Sequence, residues 1–107
     1  MINITKWFEV IKQIAREFSE DPKSGGPFDL GEMINGFLGD AAAEDFFDRN
    51  DTGLNELQIE SGKKLTILIR DFAKTINTRI HTGEFIDDPR LVPIRAAAIQ
   101  FLSLVDR

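Results

Sequence analysis

The chain has 107 residues, of which 42% are apolar, with nine Phe and one Trp; one domain with a real core is expected, and disorder is excluded. It has no cysteine, so disulfides, thiolate zinc centres and a thiol nucleophile are excluded as well. The formal net charge of −5 is unevenly placed: residues 17–60 hold twelve acids against Lys23 and Arg49, a field that attracts basic partners and repels nucleic acid.

The first element is a helix. Ile4, Trp7, Phe8, Ile11, Ile14, Ala15 and Phe18 recur at three- and four-residue steps, and Asn3 or Thr5 is placed to cap its start. The stripe covers only two heptads, so it is expected to pack inside its own domain rather than in a coiled coil. A turn-rich stretch, Ser19 to Pro27, follows and is too short to separate two domains.

Asp29 and Glu32 have the spacing of a capping box, ahead of a short helix lined by Leu30, Met33, Ile34, Phe37 and Leu38. Gly36 and Gly39 weaken that helix, and Gly39 is expected to end it. Asp40 then reads as the N-cap of a third helix, with Ala42, Ala43, Phe46 and Phe47 on one side and Glu44, Asp45 and Asp48 turned elsewhere.

Asn50-Asp51-Thr52-Gly53 is a turn by composition. Beyond it, Leu54, Leu57, Ser61, Leu65, Leu68, Phe72 and Ile76 keep helical spacing toward a C-cap at Gly83, with Asn55 and Gln58 as a second capping box and Glu60–Lys64 as an i,i+4 pair. Gly62 and the β-branched run Leu65–Ile69 oppose this, the latter being able to pass for a buried strand; length and periodicity favour helix. Asp87-Asp88-Pro89 opens the last element as a turn, followed by a helix from about Pro93 that buries Ile94, Ala97, Ala98, Phe101, Leu102 and Val105. The expected architecture is all-α, a compact bundle of four or five helices in a single domain.

No apolar run approaches the roughly 20 residues that span a bilayer, and the start Met-Ile-Asn-Ile-Thr-Lys-Trp lacks the form of a secretory signal. A cytoplasmic setting is the expectation, and the lack of cysteine is compatible with a reducing compartment.

The stretch Asp48 to Glu60 resembles the calcium loop of the EF-hand family: Asp48, Asn50, Thr52 and Gly53 fall on loop positions 1, 3, 5 and 6, with a helix on either side. The resemblance implies a calcium site using Asp48, Asn50, Thr52 and Glu60. It departs from the pattern where Asn55 takes the apolar position 8, Ile59 takes the position of the bidentate acid, and Glu60 follows one residue late. No second loop is present. A structural reading competes with it, that of a capped interhelical turn whose Asp and Asn side chains fold back on backbone amides.

Enzymatic chemistry finds little footing. His81 is the single histidine and suits a helix C-terminus for dipole reasons. The serines stand in no nucleophile elbow, and Asp45 and Asp48, at i,i+3 spacing, read as a solvated face rather than an acid–base pair. The glycines 31, 36 and 39 lack the Lys-Ser/Thr of a phosphate loop. The bases Lys63, Lys64, Arg70, Lys74, Arg79, Arg90 and Arg95 are spread among acids, which suits pairing with the acidic middle better than binding nucleic acid.

Recognition is what remains. A non-enzymatic inhibitor, immunity-type or adaptor protein is expected, engaging a basic protein partner through residues 29–60, with Glu44, Asp45, Phe47, Asp48 and Asp51 as its contact set. Phe28, the Met33/Phe37 face and the Phe46–Phe47 pair are the apolar features that overlap the acids. Divalent-cation binding at 48–60 is the alternative, and an enzyme using His81 or the Asp45/Asp48 pair a third. The competing structural account makes Asp29, Glu32, Asp40 and Glu44 helix caps or first-turn acids, and Phe46 and Phe47 core.

Overall fold

The computed structural model describes residues 3–20, 30–75 and 88–105. These form an all-α bundle: α1 (Ile4–Ser19), α2 (Leu30–Asn35), a π-helical turn (Gly36–Asp40), α3 (Ala43–Asp48), α4 (Glu56–Lys74) and α5 (Leu91–Val105). The expectations resting on Phe28, Asp29, Ile76, His81, Gly83 and Asp87 lie outside the described residues. None of the described helices is long and apolar enough to cross a membrane.

Helix α1 begins where Asn3 Oδ1 accepts the Lys6 amide at 3.0 Å, so Asn3 and not Thr5 is the cap. Its apolar stripe buries Ile11, Ala15 and Phe18 completely or nearly so, with Ile4, Trp7, Phe8 and Ile14 packed beside them. At its far end, Arg95 Nε from α5 donates to the Ser19 carbonyl at 3.1 Å, satisfying an acceptor the helix leaves open.

The second helix does not stop at Gly39. It widens into a π-turn closed by the Ala41 amide donating to the Gly36 carbonyl at 2.7 Å, burying Phe37 after Met33 and Ile34. Asp40 sits exposed within that turn and is not the N-cap of α3. The residue before α3 is Ala42, in the left-handed region at φ 44° and ψ 52°, with no side-chain cap. That conformation costs a non-glycine residue about 1–2 kcal/mol. Its neighbour is held from outside: the Trp7 indole N–H donates to the Ala41 carbonyl.

Helix α4 runs without a break through Leu65–Ile69, so the strand alternative for this segment is not realised. Burial of Leu65, Thr66 and Ile69 outweighs the weak helix propensity of the β-branched residues, and Thr66 Oγ1 donates back to the Gly62 carbonyl at 2.8 Å. The Asn55/Gln58 capping box forms with both reciprocal bonds at 2.9 Å. The helix ends at Lys74, with Thr75 as its cap, well short of Gly83. The expected Glu60–Lys64 pair does not form among the described residues; both side chains stand in solvent.

Helix α5 starts two residues before the expected Pro93, after a turn in which the Leu91 amide donates to the Asp88 carbonyl at 3.0 Å. Pro93 is tolerated as the third residue because the first four amides of a helix have no intrahelical acceptor to lose. Ile94, Ala97, Ala98 and Phe101 are buried as expected, while Leu102 and Val105 are half-buried.

Helix α5 packs along both α1 and α4. Two polar ties fix it antiparallel to α4. At one end Gln58 Nε2 donates to the Leu104 carbonyl at 2.8 Å; at the other Arg90 reaches Thr75 Oγ1 at 2.6 Å, pairs with Asp88 and lies 4.8 Å over the Phe72 ring. The short α3 enters the same core through Phe46 and Phe47. Phe46 stacks on Phe8 at 5.5 Å and meets Trp7 edge-on at 5.2 Å; Phe47 meets Phe101 edge-on at 5.5 Å.

Gly62 is the complement of that insertion: a Cβ there would be driven into the Phe47 ring. Gly62→Ala is therefore expected to lower stability despite its better helix propensity. Overpacking costs about 1–3 kcal/mol and propensity returns about 1 kcal/mol; a urea midpoint raised by the substitution would contradict the packing. Gln58→Glu keeps the capping box but loses the donor to Leu104, with an expected loss of about 1 kcal/mol. Unchanged urea stability in that variant would show that the Leu104 tie contributes nothing.

Candidate functional site

Ala43, Phe46 and Phe47 are buried on one side of α3, so helical geometry turns Glu44, Asp45 and Asp48 to solvent on the other. Glu44 and Asp45 also lie in the first turn, where carboxylates suit the positive end of the helix. The side chains of α4 answer them. Arg70 Nη1 meets Glu44 Oε1 at 3.2 Å, and Lys63 Nζ meets Asp48 Oδ1 at 3.5 Å. The N-terminal end of α3 thus faces the later part of α4, and its C-terminal end the earlier part, an antiparallel pairing.

Between these two ion pairs lies a cleft of about 120 Å³, lined by Glu44, Phe47, Asp48, Lys63, Thr66, Ile67 and Arg70. Its walls are an acidic one from α3 and a basic one from α4. Phe47 and Thr66 supply buried surface, and Ile67 is 45% exposed.

Of the expected contact residues, this edge gathers Glu44, Asp45, Phe47 and Asp48, with two corrections. Phe47 is only 2% exposed, so it cannot project as an anchor; it is held inside by Gly62, Phe46 and Phe101 and forms part of the cleft lining. Asp51 lies beyond α3 and is engaged by Arg49, whose Nε and Nη2 donate to its two oxygens at 2.8 and 2.6 Å. That bidentate bond holds the Asp51 carboxyl below its ordinary pKa. Arg49 in turn lies 5.7 Å from the Trp7 ring.

The acidic surface is therefore a mosaic and not a uniform negative field, since Glu44, Asp48 and Asp51 each carry a basic neighbour and only Asp45 of the four acids enters none of these pairs. Lys63 and Arg70 as the particular counter-ions were not identified from the sequence. A signal existed in the i,i+4 acids of one helix and the i,i+7 bases of the next, but it has meaning only once the two helices are known to be neighbours.

Two of the four oxygen donors expected for calcium have other partners, and the acid nearest the twelfth loop position lies inside a helix. Among the described residues no three His, Cys, Asp or Glu side chains are placed to share a metal ion. Asp48 is engaged by Lys63, and the Thr52 hydroxyl accepts the Leu54 amide at 3.4 Å. Glu60 lies one turn inside α4, and the one-residue offset from Ile59 rotates it by about 100° around the helix; Glu60 is exposed and Ile59 half-buried. Asn50 is exposed in the turn. Comparisons with protein-family models, curated proteins and solved structures find no match for the chain.

Calcium at ten millimolar is expected to leave the thermal midpoint unchanged. A site with a Kd near 0.1 mM would add about 2.7 kcal/mol under that load, an increase of many degrees for a domain of this size. A clear calcium-specific rise would favour the EF-hand reading.

Proposed function

We propose that this protein is a non-enzymatic interaction module (an inhibitor, immunity-type protein or adaptor) that engages a basic protein partner in a cytoplasmic setting. The observation that carries the reading is the solvent-facing row Glu44, Asp45 and Asp48 along α3, of which Glu44 and Asp48 border a cleft that also contains Phe47 and Ile67. Acid beside a depression that admits a side chain is the combination that steers a basic surface and then anchors it.

The ion pairs at this edge do not oppose the reading. Side-chain exposures of 57% for Glu44 and 65% for Asp48 place both pairs in water. Such pairs contribute about 0–1 kcal/mol, so incoming lysines or arginines compete with Arg70 and Lys63 on nearly equal terms. Asp45 offers a further carboxylate outside these pairs.

Affinity capture with the immobilised protein tests this. A basic partner is expected to be retained at low ionic strength and released as salt rises through the physiological range, where the screening length shrinks to about 8 Å. Asp45→Lys together with Asp48→Lys should abolish capture while the helical circular dichroism spectrum persists. Retention by the doubly reversed protein would show that the α3 acids are not the contact.

A further inference from the structure

The bases along the α3–α4 edge are not held equally. Arg49 grips Asp51 with two hydrogen bonds of 2.8 and 2.6 Å. Arg70 reaches Glu44 through a single nitrogen at 3.2 Å, and Lys63 stands 3.5 Å from Asp48. The two loose contacts are the ones that flank the cleft.

Arg70 is also incompletely satisfied. Its Nε has no hydrogen-bond acceptor, while the side chain as a whole is 38% exposed and paired with Glu44 through Nη1. The adjacent Asp71 has Oδ1 3.9 Å from that nitrogen, too far for a hydrogen bond but within reach of a modest side-chain rotation. The guanidinium thus has two acids to choose between. In the present arrangement it takes Glu44 through Nη1 and leaves Nε without an acceptor.

From this we infer that Arg70 is a displaceable latch on the cleft, and that its displacer is a partner segment carrying lysine or arginine beside an aliphatic side chain. The inference rests on the docking reading above and specifies how that docking occurs. The incoming cation takes Glu44, with Asp45 one residue along α3. Arg70 turns to Asp71, which supplies the acceptor that Nε lacks. The aliphatic group enters the cleft against Phe47 and Ile67. At about 120 Å³ the space is of the order that admits one such group; an apolar cavity of about 150 Å³ takes up benzene. A cationic occupant follows from charge: once Arg70 leaves, Glu44 and Asp48 outnumber Lys63 on the rim. An anionic segment would meet those carboxylates instead.

The probe is a short synthetic amphipathic peptide of lysine and leucine, titrated at low ionic strength by calorimetry and by nuclear magnetic resonance. Arg70→Gln removes the internal competitor and is expected to tighten binding about three- to fivefold. Lys64→Gln, an equal change of charge at an exposed position outside these pairs, is expected to change it by about twofold or less. In the wild type the Arg70 Nε–H signal should shift on peptide addition, and Asp71→Ala, which removes the acceptor, should suppress that shift and weaken binding. A peptide with serine in place of leucine should bind about tenfold more weakly.

If Arg70→Gln binds no more tightly than Lys64→Gln, or the Nε–H signal does not move, the latch is wrong while the docking reading stands. Equal affinity for the serine peptide would overturn occupation of the cleft. If neither the wild type nor Arg70→Gln binds any lysine peptide, the docking reading itself falls and takes the latch with it.

Discussion

The insertion of Phe46 and Phe47 into the space between α1, α4 and α5 is the constraint on which the rest of this structure depends. Helix α3 has six residues, too few to persist alone, because helix nucleation is unfavourable and short helices do not recover it. Its stability is borrowed from packing. Phe46 lies against Trp7 and Phe8 of α1, and Phe47 against Phe101 of α5 and the bare backbone of Gly62 in α4. Three long helices are thus joined through two adjacent rings on the shortest one.

The geometry of the exposed edge follows from that burial. With Phe46 and Phe47 inward, Glu44, Asp45 and Asp48 have no direction but outward. The closeness of α3 to α4, made possible at Gly62, then brings Lys63 and Arg70 within reach of two of those acids. The cleft lies between these two helices, with the Lys63–Asp48 and Arg70–Glu44 pairs on its rim. The path into α3 is part of the same arrangement: a π-turn and a left-handed Ala42 are steadied by the Trp7 indole on the Ala41 carbonyl, so the aromatic cluster also stabilises the approach to α3.

Much of this was readable in the chain and some of it was not. The stripe of α1 and the Asn55/Gln58 box were read correctly because they are local: a repeat of three and four residues, or a cap and its third neighbour, contains its own partner. Asp40 has the composition of a cap but lies inside a π-turn, whose Ala41 carbonyl is bonded by Trp7, more than thirty residues away in sequence. Gly62 looked like a flaw in α4 until Phe47 was seen against it. Phe47 itself, expected among the contact residues, carries no local mark of whether it faces the core or the solvent.

By itself, then, the sequence determined the all-α class, the main helical faces, the Asn55/Gln58 capping box, and the concentration of acid in residues 17–60. These depend on periodicity and on neighbours within a turn of helix. Only the tertiary structure decided that Asp48 and Glu44 meet Lys63 and Arg70, that Phe47 is buried in the core, and that the acidic stretch is a mosaic rather than a uniform field. The physical reason is range: propensity and amphipathicity act over a few residues, whereas a charge is defined by whatever the fold places within a few ångströms of it.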